Sequence, residues 1–401
     1  MDKKLGEQAK RPMDKKLGEQ AKRPMDKKSG SAEQLFVSER LAIEKALDEA
    51  LHARIASALQ FELGTPDGVL LSIAVGRTAF DELAPAQPIE QDTPFDVASV
   101  TKAACTSLLC LLAFQEGKLA LASTLAECLP NVPADKAQLC IADLLSHRSG
   151  LPAWQPFFER VPPTLLGSDK ALRHIREAVL ETPLESSAGI ERYSDLGYIL
   201  LHWVLERAFA APLDELFTQR LAAPLGLTHS RFVRHGSRLD GAPATEYCAL
   251  RKGFVQGVVH DENTWAMGGV SGHAGLFSTA SDLGCVARAL LNCDANPACD
   301  TLFSHQMLRT MWEPIQGGSY CLGWDSPSSA SSNAGPGHRP RDVRGHLGFT
   351  GCSLWMRRSS HPKPGYVVLL SNRVHPSRDE ARIRALRVAV HELAWRLLER
   401  H

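Results

Sequence analysis

The sequence predicts a fold of the α/β class, α+β in type: one antiparallel sheet assembled from both chain ends and flanked by helices, with a large helical subdomain between them. Three observations point to it. Two strand-like runs, 61–63 and 69–75, stand near the start of the chain, and helical periodicity fills the long middle. Three more strand-like segments and an amphipathic helix close it. The expected division is a repeat-containing tail over 1–34 and one domain over 35–401. Within that domain the sheet part takes about 35–98 and 310–401, and the helical part about 99–309.

Taken in order, the tail opens Met-Asp-Lys-Lys-Leu-Gly-Glu-Gln-Ala-Lys-Arg-Pro, which occurs at 1–12 and 13–24 and begins again at Met25. Its charged composition cannot bury a core, so it is read as a disordered segment. Apolar residues at helical spacing (Leu41, Ile43, Leu47, Leu51, Ile55, Leu59) predict a helix over Glu39 to Gln60. Thr65-Pro66-Asp67-Gly68 between the early strand runs is a hairpin signal. An apolar run, Ala103 to Phe114, follows Phe95-Asp96-Val97-Ala98-Ser99-Val100-Thr101-Lys102.

Further on, Leu144 to Trp154 closes a short helix on a turn, with His147 read as a structural loop residue beside Ser149 and Gly150. Residues 170 to 235 read as helices joined by loops rich in Pro and Gly. Between 245 and 280 the chain is dense in glycine, which signals tight backbone approach around a cleft. Ser326 to Arg341 reads as a mobile polar surface loop. The late strands are Gly345–Gly351, Cys352–Arg357 and Tyr366–Ser371, and Arg378 to Arg400 is the final helix.

Composition excludes several classes of function. The 45 Lys plus Arg balance 45 Asp plus Glu, so no net field favours nucleic acid or an anionic membrane. At 401 residues and 44% hydrophobic content the chain can build a large core. Its ten cysteines are scattered without a Cys-x-x-Cys pair, consistent with buried thiols in a reducing compartment. No apolar run reaches membrane-spanning length and no secretory leader is seen, so a cytoplasmic location is expected. His260, Asp261, Glu262 and His273 lack the spacing of a zinc site, and no metal or other cofactor is expected.

The chemistry concentrates at Ser99 and Lys102. Three residues apart at the head of a helix, hydroxyl and amine share one face. A serine needs a proton acceptor to act as a nucleophile, and a lysine desolvated by an apolar wall can be one. The serine N–H at the helix start is also aimed at any oxyanion formed there. Tyr193, ahead of an apolar helix in Arg192-Tyr193-Ser194-Asp195, can donate or accept a proton at a leaving group.

Ser99-Val100-Thr101-Lys102, Tyr193-Ser194-Asp195 and His346-Leu347-Gly348, in that order, resemble the serine β-lactamase and penicillin-binding-protein clan. The spacing is most similar to class C β-lactamases, D-Ala-D-Ala carboxypeptidases and family VIII esterases. The strings around Ser146 to Pro152, His260 to Asn263 and Gly272 to Thr279 strengthen the likeness, which covers about residues 40 to 400.

The resemblance implies a β-lactamase/transpeptidase-like fold and a cofactor-free serine hydrolase acting on a small-molecule ester, amide or lactam. It implies Ser99 as the acylated nucleophile, Lys102 as its base and Tyr193 as the proton-transfer partner of the leaving group. His346 to Gly348 would form the cleft edge, and the N–H groups of Ser99 and Phe349 the oxyanion hole. Relatives of this kind are often periplasmic.

Two departures bear on the substrate. His346-Leu347-Gly348 stands where lactamases usually have Lys-Thr-Gly, so a carboxylate-holding cation and hydroxyl are missing and an uncharged ester is favoured. Asp195 stands where the second motif often has Asn, and a carboxylate there repels anionic substrates and favours the charged form of Lys102. The expected function is therefore a carboxylesterase. A β-lactamase or D-Ala-D-Ala carboxypeptidase, and a non-catalytic binding protein on the same fold, are the alternatives; oligomeric state is left open.

Overall fold

The computed structural model describes residues 27–84, 86–298, 302–327 and 332–401. The repeat therefore lies outside the described residues. Helix α1 (Lys27–His52) comes first, then strands β1 (Ala58–Thr65) and β2 (Gly68–Gly76) around the anticipated turn. A π-helical turn, Lys102–Thr106, runs into α2 (Ser107–Gln115), and the helical part continues through α3 (Asp195–Phe209) and α4 (Ala280–Ala295). Strands β3 (Val343–Leu347), β4 (Ser353–Arg357) and β5 (Gly365–Ser371) follow, and α5 (Ile383–Arg400) ends the chain.

The main sheet has the order β2-β1-β5-β4-β3, antiparallel throughout, so the pairing of β1 with β5 joins the chain ends. Along β1, Leu59, Phe61 and Leu63 point to the side covered by α1 and α5. Gln60 and Glu62 point the other way, toward α4, as period-two alternation requires. These two buried polar groups are tolerated because each is hydrogen-bonded. Gln60 Nε2 donates to the carbonyls of Glu90 (2.7 Å) and Thr93 (2.9 Å), and Glu62 accepts from the Tyr366 hydroxyl (2.8 Å).

The helix expected over Glu39 to Gln60 starts earlier and ends earlier, at His52; Arg54 turns the chain at φ 56° and Leu59 belongs to β1. Both faces of β1 are buried, so its apolar content extended the helical pattern across the boundary. The loop after Ser326 is also not wholly at the surface. Ala334 is buried and its carbonyl accepts from Trp395 Nε1 (2.6 Å) of α5. Cys105, Cys110, Cys321 and Cys352 are buried thiols. None of the described helices is long and apolar enough to cross a membrane.

Candidate active site

Ser99 sits where the two-residue strand Phe95–Asp96 turns into the helical segment before α2. That strand pairs with Leu276–Ser278, fixing the entry to the turn. The buried Asp96 carboxylate, its pKa raised by desolvation, accepts from the N–H of Ala98 (2.9 Å) and of His260 (2.7 Å). Ala98 adopts φ 46°, a left-handed conformation that an alanine enters only when its surroundings impose it. Ser99 is thus presented by a strained, over-determined turn.

Lys102 Nζ lies 2.9 Å from Ser99 Oγ, 2.9 Å from the His273 carbonyl and 2.6 Å from Asp195 Oδ1. The side chain is fully buried, and desolvation lowers its pKa, with the Asp195 carboxylate pulling the other way. A neutral amine has two N–H bonds and one lone pair. The His273 carbonyl accepts one of its N–H bonds and the Asp195 carboxylate lies at ion-pair distance; once the amine is neutral, its lone pair is free to turn to the Ser99 hydroxyl. That is the arrangement a base requires.

Tyr193 stands beside both the Ser99 hydroxyl and the Asp195 carboxylate, with Lys102 Nζ 5.1 Å from its ring centroid. Burial and the charge of Asp195 push its phenol well above the ordinary range. It stays protonated at neutral pH and is a donor, not a phenolate base.

The third motif closes the cleft from the end of β3. Gly348 is required by close approach: a Cβ there would lie 2.4 Å from the Val97 carbonyl oxygen, beside the nucleophile turn. The N–H groups of Ser99 and Phe349 donate to no acceptor among the described residues, so both remain available to an oxyanion. His346 is buried and held neutral, its pKa lowered to about 3 by desolvation and the charge of Lys102. Its Nδ1–H donates to the Leu347 carbonyl (2.8 Å), so Nε2 carries a lone pair. The sequence left this imidazole partly charged at neutral pH; burial removes that charge.

These groups line one cleft of about 780 Å³. Ser99, Tyr193, Asp195, His346, Gly348 and Phe349 all face it, and Lys102 lies beneath Ser99. The convergence expected of 99, 102, 193 and 346–349 is present. His260, Asp261, Glu262 and His273 do not form a metal centre. Asp261 pairs with His273 (2.9 Å) and caps the next helix, His260 pairs with Glu246 (2.8 Å), and Glu262 pairs with Arg378 (2.7 Å). No group of three metal-ligating side chains occurs among the described residues.

Sequence reasoning missed Tyr320, Trp154, Arg373, Arg378, Arg384 and Arg387, all of which line the cleft. No local motif marks them; they arrive by the pairing of distant strands. Arg373 and Arg387 are tied to carbonyl oxygens, Arg387 to those of Gly348, Gly351 and Cys352. Arg384 is exposed and pairs with no carboxylate among the described residues.

Known proteins are similar to this chain in sequence and in fold. The "Putative D-alanyl-D-alanine carboxypeptidase" of Escherichia coli is 30% identical over 315 residues, spanning 72% of this chain and 71% of that protein. The protein of the same name in Salmonella paratyphi A is 30% identical over 318 residues, 72% of each. Among solved structures, EstCE1, a hydrolase with promiscuous acyltransferase activity, superposes with TM-score 0.68 at 20% identity, over 90% of this chain and 100% of that one. The octameric penicillin-binding protein homologue from Pyrococcus abyssi gives 0.62 at 18%, over 92% and 78%. These likenesses show a β-lactamase/penicillin-binding-protein fold. The Beta-lactamase family model matches residues 52–391, from the end of α1 to within α5, and so takes in the nucleophile turn, the tyrosine and the closing strand: the chain belongs to the beta-lactamase family, as a serine hydrolase.

Proposed function

We propose that the protein is a carboxylesterase working through an acyl-enzyme at Ser99. The observation that carries this is the buried Lys102 amine, 2.9 Å from Ser99 Oγ, hydrogen-bonded to the His273 carbonyl and 2.6 Å from the Asp195 carboxylate. Ser99 Oγ attacks the ester carbonyl while its proton passes to Lys102 Nζ. The oxyanion is met by the N–H groups of Ser99 and Phe349. Tyr193 gives its phenolic proton to the departing alkoxide, recovers one from Lys102, and the ester C–O bond breaks. Water then attacks the acyl-enzyme, delivers its proton through the same groups, and releases the acid with Ser99 restored.

The preference for an uncharged ester rests on the third motif. A neutral His346 and an apolar Leu347 offer no cation and no hydroxyl to a substrate carboxylate. Labelling with a fluorophosphonate probe tests the nucleophile: the wild type labels and Ser99→Ala does not. Short-chain nitrophenyl esters beside a chromogenic cephalosporin test the substrate. Ester turnover exceeding lactam turnover supports the esterase, and silence toward every ester ends it.

One observation favours a second reading, cleavage of a peptide ending in D-Ala-D-Ala. Arg384 is an exposed cleft cation with no carboxylate partner among the described residues, and relatives carry the carboxypeptidase name. On that reading Arg384→Ala raises KM for a substrate with a free carboxylate about tenfold and leaves neutral nitrophenyl esters unchanged, since a charged hydrogen bond is worth roughly 1.5–3 kcal/mol. Equal effects on both substrates remove it.

A further inference from the structure

The residue that fixes Tyr193 is not in any of the three motifs. His147 lies about forty-six positions earlier, at the end of a short helix, and is almost fully buried. It adopts φ 57°, the left-handed conformation that His, Asn and Gly enter more readily than other residues. In that conformation it grips the chain on both sides of Tyr193. The Arg192 N–H donates to the His147 carbonyl (2.7 Å), and the Ser194 N–H donates to His147 Nδ1 (3.1 Å). Between these bonds the His147 ring packs against the Tyr193 ring, with centroids 4.5 Å apart. Tyr320, at 4.5 Å, and Tyr198, at 5.2 Å, close the other sides of the imidazole.

The clamp continues along the same loop. Gly189 N–H donates to the Arg148 carbonyl (2.8 Å), Ser194 Oγ to that of Pro152 (2.6 Å) and Asp195 N–H to that of Ala153 (2.8 Å). The loop is therefore a template for the segment carrying the second motif. An imidazole that accepts at Nδ1 must be unprotonated there, and burial lowers the His147 pKa well below its ordinary value and keeps it neutral.

From this geometry we infer that His147 is a positioning residue for catalysis: its Nδ1 lone pair and its carbonyl hold Tyr193 where the phenol reaches the leaving group. This rests on the hydrolase reading above, and it distinguishes His147 from a residue that only stabilises the fold. A proton donor matters for a poor leaving group and hardly at all for a good one. A misplaced Tyr193 should therefore slow ethyl butyrate far more than 4-nitrophenyl butyrate, whereas a general loss of folded enzyme slows both equally.

The test compares His147→Gly and His147→Asn. Both accept the left-handed backbone, but only Asn places an acceptor oxygen where Nδ1 stands. Expected for His147→Gly is a fall in kcat/KM of about 10- to 100-fold on the ethyl ester and under about threefold on the nitrophenyl ester, part of the 10²–10⁴ that a positioned proton donor contributes. His147→Asn recovers most of the loss. Tyr193→Phe shows the same leaving-group pattern, and adding His147→Gly to it costs nothing further. Equal losses on both esters, an additive double variant, or an Asn variant no better than Gly each overturn the inference. Absence of fluorophosphonate labelling in the wild type would instead strike the hydrolase reading, not the clamp.

Discussion

Ser99, Lys102 and Asp195 form a charge balance that sets the pH at which the site works. Burial lowers the Lys102 pKa and the Asp195 carboxylate opposes that lowering. The base form is the neutral amine, so kcat/KM rises with pH through the Lys102 pKa and then levels. Removing the carboxylate takes away the influence that favours the cation. Asp195→Asn therefore moves the acidic limb of the pH–rate profile to lower pH, and a limb that stays in place or moves up would show that it belongs to another group. Burial holds the His346 pKa down at about 3, so its titration is not expected to shape the profile near neutral pH. Lys102→Ala is expected to cost about 10²–10⁴ in kcat, as loss of a general base does.

The closing strand shows how an element sets the site. β3 is an edge strand paired only with β4 in the main sheet, and it is followed directly by Gly348, packed against the Val97 carbonyl. Gly348→Ala forces backbone from backbone. The expected result is a loss of roughly 10²–10³ in kcat, the scale of one oxyanion donor, measured beside the melting temperature. An unchanged kcat would mean that the Phe349 N–H does not contribute.

This scale also shows what a sequence can reveal. Ser99, Lys102, Tyr193 and His346 were legible because each lies in a short string whose chemistry is local. The late strands were legible from their β-branched and aromatic runs. β1 was partly misread as helix because Ile55 and Leu59 continue the helical spacing of α1 across the boundary, which masked the strict alternation of Leu59, Gln60, Phe61, Glu62 and Leu63. Tyr320, Trp154 and Arg384 left no local trace, since tertiary pairing alone brings them to the cleft. The clamp by His147 was invisible for the same reason: its partners lie 45 and 47 residues away.

At the scale of the molecule, one side chain joins what the sequence separates. Asn372, just past β5, is buried. It accepts from the N–H groups of Ser57 (3.1 Å) and Ala58 (2.9 Å) and donates to Ser57 Oγ (2.8 Å) and the Ala244 carbonyl (2.9 Å). It thus ties the start of β1, the end of β5 and the helical part together. Replacing it leaves several buried polar groups unpaired, each costing about 1–3 kcal/mol. Asn372→Leu should destabilise by at least about 3 kcal/mol in urea unfolding, enough to leave little folded protein in a domain of ordinary stability. A loss below about 1 kcal/mol would show that solvent takes over those bonds.

On the proposed mechanism Phe349 offers its main-chain N–H to the oxyanion, and its ring points outward, 48% exposed, stacked on His260 and flanked by Arg373. Chemistry and selectivity are therefore uncoupled at a single codon. On that mechanism, saturation mutagenesis there varies the cleft wall while every clone but the proline one retains the backbone N–H, which makes position 349 the natural starting point for a directed-evolution library.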